Sequence, residues 1–186
     1  MTRRDALAWA GIVLLGAVCA GLGWWLGQRL LWPAEQPPPP GLQVVARGER
    51  VPAELALPSL RGEGQVVLGG PGRRRLVNYW ASWCGPCREE MPVLDAYAAQ
   101  QGPDGVQVIG VALDSAAEAE AFLRQVPVRF DLALEAAGPR DSSVRLGNAR
   151  GILPYTVLIG ADGRLLKTHY GAFPDVAAVR DFAEGG

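Results

Sequence analysis

Two kinds of apolar pattern divide the chain. From Ala6 to Leu26 no charged residue interrupts the sequence, and about 20 apolar residues suffice to cross the hydrocarbon core of a bilayer. From about Val44 onward the apolar residues come in short runs separated by Gly, Pro and polar clusters, which predicts alternating strands and helices. "ELALPSL" and "GQVVLGG" read as two short strands around a Gly turn. "RRLVNYWAS" carries Leu76, Val77, Tyr79 and Trp80 in the near-continuous apolar run of a buried central strand. A helix begins near Cys84 and runs toward Gln100, with a kink expected at Pro92. "GVQVIGVALD" is a second buried strand, and Ser115 to Glu118 spell a capping box that opens a helix through Val126. "VRFDLAL" predicts a short strand and Arg140 to Leu146 a helical turn. "YTVLIG" and "RLLKTHY" form a tight hairpin about Asp162-Gly163. A helix from about Pro174 to Glu184 closes the chain, with Pro174 in its first turn. This order implies an α/β sandwich: a parallel sheet core with an antiparallel hairpin at its end.

The front end has the flanks of a membrane anchor. Arg3 and Arg4 precede the uncharged run, and Trp24, Trp25 and Trp32 crowd its far end, where indoles favour the membrane–water interface. The basic start places the N-terminus in the cytoplasm and the remainder across the membrane; Arg29 weakens that bias without reversing it. The expected organisation is a cytoplasmic N-terminus and transmembrane anchor over 1–32, a Pro-rich linker over 33–43 and a folded domain over 44–186. "PPPP" from Pro37 to Pro40 makes the linker extended and stiff. The rival reading is a removed export signal, with "TRRDAL" looking like a twin-arginine one. Bulky Trp24, Trp25 and Leu26 then stand where a cleavage site requires small residues. Both readings export the domain, and Cys19 falls within the run as an inert buried thiol.

Charge and cysteine content narrow the chemistry. The formal net charge of the 186 residues is −1, which argues against nucleic acid as a partner. Arg73, Arg74 and Arg75 read as a solvated edge before a strand. Three cysteines are too few for a disulfide scaffold. The bond open to the folded domain is Cys84–Cys87, whose short loop removes little unfolded-state entropy, so stapling is a poor reason for the pair. A structural zinc site lacks further ligands within the chain. Copper held by two thiolates and an imidazole would have His169 as its one histidine, and a lone histidine there reads as a surface residue. No metal and no cofactor is therefore expected.

Thiol–disulfide exchange fits the context. A strand delivers Cys84 to the start of a helix, where free backbone N–H groups and the helix dipole favour a thiolate. Cys84 is thus the expected nucleophile, and Cys87, one turn on, resolves the mixed disulfide. Gly85 lets a partner backbone approach and Pro86 fixes the turn between the sulfurs.

"WCGPC" after a hydrophobic strand resembles thioredoxin, and "VNYWASWCGPCREEMP" as a whole resembles the membrane-anchored TlpA/ResA/CcmG-type thioredoxin-like proteins. The resemblance runs from about Val51 to the C-terminus. It implies a thioredoxin-like fold with an N-terminal β-hairpin and a central αβ insertion, here "VIGVALD", the helix from Ser115 and "VRFDL". It also implies that Pro154 in "GILPYTVLIGADG" is cis, leaving the backbone of Leu153 open to pair with an extended substrate. Where cytosolic thioredoxin has a buried acid, this strand has Asn78. The resembling branch instead has an acid three residues after the second cysteine, which is Glu90 here; on a helix it shares a face with Cys87. Glu90 would then carry a raised pKa and relay the proton of Cys87, while Arg88 and Glu89 stay solvated. Trp80 is expected in the core below the site, and Trp83 to shield the disulfide and meet substrate.

The implied activity is that of a protein-disulfide reductase, single-pass in the inner membrane, facing the periplasm and acting as a monomer. Its implied clients are disulfide-bonded proteins such as apocytochromes c or copper-delivery proteins, and its electron donor an integral-membrane thiol relay. Two alternatives stand beside it: a disulfide donor to folding proteins, and a non-enzymatic copper- or client-binding module.

Overall fold

The computed structural model describes residues 14–27 and 38–185. They fall in two compact units divided at Pro37/Pro38. In the first, residues 14–27 are helical, and Cys19 is an exposed free thiol. Among the described residues no helix is long and apolar enough to cross a membrane. The span expected from Ala6 to Leu26 lies partly outside the described residues, as do residues 33–37 of the Pro-rich linker.

The second unit holds seven strands and four helices in the order anticipated from the apolar pattern. A two-stranded antiparallel hairpin, β1 (Ala56–Pro58) and β2 (Gln65–Val67), comes first. The main sheet follows: β3 (Arg75–Trp80), β4 (Gln107–Leu113), β5 (Asp131–Glu135), β6 (Tyr155–Ile159) and β7 (Leu165–Tyr170). Its spatial order is β5-β4-β3-β6-β7, with β3, β4 and β5 parallel and β6 and β7 antiparallel. The helices are α1 (Gly85–Ala98), α2 (Ala116–Gln125), α3 (Ser142–Arg145) and α4 (Val176–Glu184).

Strand alternation sorts the core into two layers. Leu76 and Trp80 of β3 face α1, α2 and α4, packing with Met91, Leu94, Phe122 and Val179. Val77 and Tyr79 face the opposite side, where Val45, Val51, Leu55, Leu68 and Leu146 cover the sheet. The leading segment is tied down there by pairing with the β6–β7 hairpin, through Leu165 N–H to Glu49 O at 2.9 Å and Val51 N–H to Gly163 O at 2.9 Å. Gly163 has φ +80°, in the left-handed region that a side chain would disfavour, which suits it to that turn. Past β1, Leu60 N–H donates to Leu132 O at 2.9 Å, so the outer edge of β5 is partly covered.

Several local expectations change in detail. Ser115 caps α2 by accepting the Glu118 N–H, but the Glu118 carboxylate accepts from the Ser115 hydroxyl at 2.6 Å, and the Ser115 N–H donates to Asp114 instead. Asp175 caps α4, which places Pro174 before the helix rather than in its first turn. Of the three arginines expected at a solvated edge, Arg73 is exposed, Arg74 half-buried and Arg75 buried. Arg75 is buried and donates to Gly70 O at 2.9 Å, while Arg73 reaches Gly102 O and Gly105 O and Arg74 reaches Ala183 O. Guanidinium groups supply several donors each, so the three residues fasten loops and a helix end to the sheet.

Candidate active site

The carboxyl end of β3 feeds a short loop, Ala81 to Trp83, into α1. Two hydrogen bonds fix it: Cys84 N–H to Ala81 O at 3.1 Å, and Ser82 N–H to an Asp114 carboxylate oxygen at 2.7 Å. Asp114 follows β4, the neighbouring strand, so the parallel register sets the height at which Cys84 emerges. Cys84 is the N-cap of α1, with extended backbone (φ −86°, ψ 104°), and its Sγ accepts the Cys87 N–H at 3.3 Å. That is the place where an unsatisfied helix donor meets a sulfur. Pro86 lies in the first turn, where its missing N–H leaves no donor unpaired.

Cys84 and Cys87 are joined by a disulfide with Cα atoms 5.3 Å apart. Cys87 is fully buried, and Cys84 is buried but for 5% of its residue surface. Gly85 and Pro86 are exposed, and a Cβ at Gly85 would meet nothing within 4 Å, so a partner chain can approach there. Trp83 stands out at 69% exposure, whereas Trp80 is buried below and packs on Phe122 with ring centroids 4.8 Å apart. Arg88 and Glu89 are exposed, as expected, though the Arg88 guanidinium lies over the Phe122 ring at 4.9 Å.

Glu90 is 1% exposed, on the inward face of α1 with Cys87 and Met91. One carboxylate oxygen accepts the Phe173 N–H at 3.0 Å and the other accepts from Asn78 Nδ2 at 3.0 Å. Burial disfavours the charged form and pushes Glu90 up to about 7, with the two hydrogen bonds opposing the shift. Asn78 also donates to Thr156 Oγ1 at 3.0 Å.

The Leu153–Pro154 peptide bond is cis. Tyr155 pairs with Tyr79, so Pro154 lies at the carboxyl end of β3, the end from which the Cys84 loop departs. Leu153 is half-buried and its backbone N–H and C=O make no hydrogen bond among the described residues. Both backbone groups of Ile152 are held by the buried Asn148 side chain, at 3.1 and 3.2 Å, and Gly171 N–H donates to Pro154 O at 2.9 Å. The supporting roles of Asp114, Asn148, Thr156 and Phe173 were not anticipated. "LGN" before "GILP" is the one local signal that could have drawn attention to Asn148.

His169 is half-buried rather than on the surface. Its ring stacks on Phe173 with centroids 4.4 Å apart, and burial lowers its pKa. Among the described residues no cluster of His, Cys, Asp and Glu has the geometry to hold a metal ion.

The Redoxin family model matches residues 46–184. Thiol-disulfide oxidoreductase ResA of Halalkalibacterium halodurans is 28% identical over 142 residues, 75% of this chain and 77% of that protein. Thioredoxin-like protein YneN of Bacillus subtilis is 32% identical over 88 residues, 47% of this chain and about half of its own length, 51%. The crystal structure of a thioredoxin-related protein from Neisseria meningitidis serogroup B superposes with a TM-score of 0.59 at 31% identity, over 67% of this chain and 93% of that one. The chain belongs to the Redoxin family, among its thioredoxin-like ResA/CcmG-type members, and is a thiol–disulfide oxidoreductase.

Proposed function

We propose that this Redoxin-family oxidoreductase works as a reductase of client disulfides, tethered to the outer face of the inner membrane as a monomer. The choice of Cys84 as nucleophile rests above all on its place as helix cap: a sulfur that already accepts the Cys87 N–H is one whose thiolate the helix would stabilise. The Cys84 thiolate attacks one sulfur of a client disulfide, forming a mixed disulfide and expelling the other client sulfur as a thiolate. Glu90 then takes the proton of Cys87. The Cys87 thiolate attacks Cys84 Sγ, the Cys84–Cys87 bond forms and the second client thiolate leaves. Two electrons have passed from the dithiol to the client, and an integral-membrane thiol relay restores the pair.

Two features favour the reducing direction. Gly85-Pro86 is the dipeptide of thioredoxin. A Glu90 carboxylate beside Cys87 also opposes negative charge on the sulfurs, which disfavours the reduced thiolate form. Trp83, Gly85, Pro86, Leu153 and Pro154 are the proposed docking residues, Trp83 as the apolar platform and the open backbone of Leu153 as the pairing edge for an extended client. Apocytochromes c or copper-delivery proteins are the proposed clients. The uncharged run from Ala6 to Leu26 supports an anchor over 1–32 and a linker over 33–43, with the domain over 44–186 in the periplasm.

Trapping tests the assignment. The full-length Cys87→Ser protein, reduced and mixed with a disulfide-bonded apocytochrome c, should accumulate a mixed disulfide through Cys84, and Cys84→Ser should give none. Accumulation on Cys87 in the Cys84→Ser protein would reverse the two roles.

A further inference from the structure

Asn78, Thr156 and His169 are register partners on β3, β6 and β7. They therefore share one face of the sheet, the face that Leu76, Trp80 and Leu158 otherwise make apolar. Asn78 and Thr156 are fully buried. The Asn78 amide nitrogen donates one N–H to Glu90 Oε2 and the other to Thr156 Oγ1, each at 3.0 Å, while Asn78 Oδ1 has no hydrogen-bond partner among the described residues.

An amide N–H₂ facing Glu90 suits a carboxylate and conflicts with a carboxylic acid. Oε1 already receives the Phe173 N–H, so an added proton belongs on Oε2, where it would point at the amide's own N–H. A half-turn of the Asn78 amide removes the conflict, because its two ends are nearly equal in size and opposite in hydrogen-bonding sense. Oδ1 then lies between Glu90 and Thr156 and accepts from both. Thr156 can follow because a hydroxyl is donor and acceptor at once and rotates to suit. The charged arrangement has three bonds: Phe173 to Glu90, Asn78 to Glu90 and Asn78 to Thr156. The neutral one keeps the same number, with the latter two reversed.

We propose that Asn78 is a two-state positioning residue whose side-chain amide turns over as Glu90 gains and loses its proton, with Thr156 reversing its hydrogen bond in step. The proposal builds on the reading of Glu90 as the proton carrier for Cys87. It explains why an amide stands on β3 beneath the disulfide: an ionised acid there could not donate to Glu90, and an apolar residue could serve neither protonation state. The remaining titratable neighbours do not clamp Glu90. Cys87 precedes it by one turn of α1, and the His169 ring of β7 is stacked on Phe173. Lys167 is engaged by the carbonyls of Phe182 and Gly185 near the end of α4. Arg88 of α1 is turned to Phe122 and Gln125 of α2.

The test is NMR of the full-length protein carrying ¹⁵N-asparagine and ¹³C-glutamate, titrated between about pH 5 and 9, around the carboxyl midpoint. The Asn78 amide resonances should move with the midpoint of the Glu90 carboxyl carbon. Cross-relaxation between the amide protons and the Thr156 methyl, present at high pH, should fade as Glu90 protonates. In Asn78→Leu, which can turn over for neither protonation state, the Thr156 methyl should no longer follow the Glu90 midpoint. An Asn78 amide that keeps its orientation while Glu90 titrates overturns the proposal, and so does a Thr156 methyl that still follows the Glu90 midpoint in Asn78→Leu. Because the Glu90 carboxyl is read directly, this outcome is separate from failure of its proton-transfer role, which shows in thiol chemistry instead.

Discussion

The Phe173 backbone N–H donates to the buried Glu90 carboxylate at 3.0 Å across 83 residues of sequence, joining the loop before α4 to the helix that begins at the disulfide. With Asn78 on the other oxygen, Glu90 is held on both sides and still raised to about 7 by burial. A carboxyl poised there can take and return a proton at physiological pH.

The first expectation concerns that proton. Release of client from the mixed disulfide at Cys84 should accelerate in the wild-type protein as pH rises through about 7. In Glu90→Gln the inflection should vanish and release should slow by roughly 10²-fold, the usual scale of a general base. Stopped-flow measurement of resolution against pH decides it; an unchanged profile returns Glu90 to a packing role.

Stability should carry the same signature. The folded-state pKa of Glu90, about 7, lies above its ordinary 4.5. Its contribution is therefore fully present below about pH 4.5, declines as pH rises through 7 and is absent above. A shift of that size corresponds to at most about 3 kcal/mol. Glu90→Gln should consequently be more stable than wild type above pH 7, by on the order of 1–3 kcal/mol, and lose the difference near pH 5. Urea unfolding at the two pH values measures it, and equal stabilities at both would show that Glu90 does not pay for its burial.

The two tryptophans should separate folding from client contact. Trp80→Ala removes a fully buried indole and should cost about 3–5 kcal/mol in denaturant unfolding. Trp83→Ala, at a position 69% exposed, should change stability by less than about 0.5 kcal/mol while slowing client reduction. Equal client rates for wild type and Trp83→Ala would remove Trp83 from the docking surface.

How much of this was legible in the sequence depended on how local the signal was. The run Leu76–Trp80, the capping Ser115 and the Asp162-Gly163 turn each announce themselves within a few residues, and the elements followed. Cys87 and Glu90 lie within one helix that Cys84 caps, so their spacing alone places them together. What was hidden depends on register. Asn78 was noticed as an amide in place of an acid, but nothing local reveals that β6 sets Thr156 beside it or that Phe173 reaches Glu90. The half-burial of Arg74 is not legible locally because its carbonyl partner is as far off as Ala183. His169 was misread because its cover, Phe173 and Phe182, arrives with the loop and helix that follow.

The reduction potential of the Cys84–Cys87 pair in the full-length protein, equilibrated in thiol redox buffers at pH 7, tests the central claim most directly. A reductase of the kind described should give a value near that of thioredoxin, about −270 mV, or lower. A value near the strongly oxidising end, about −120 mV, would contradict the account and make the protein a disulfide donor.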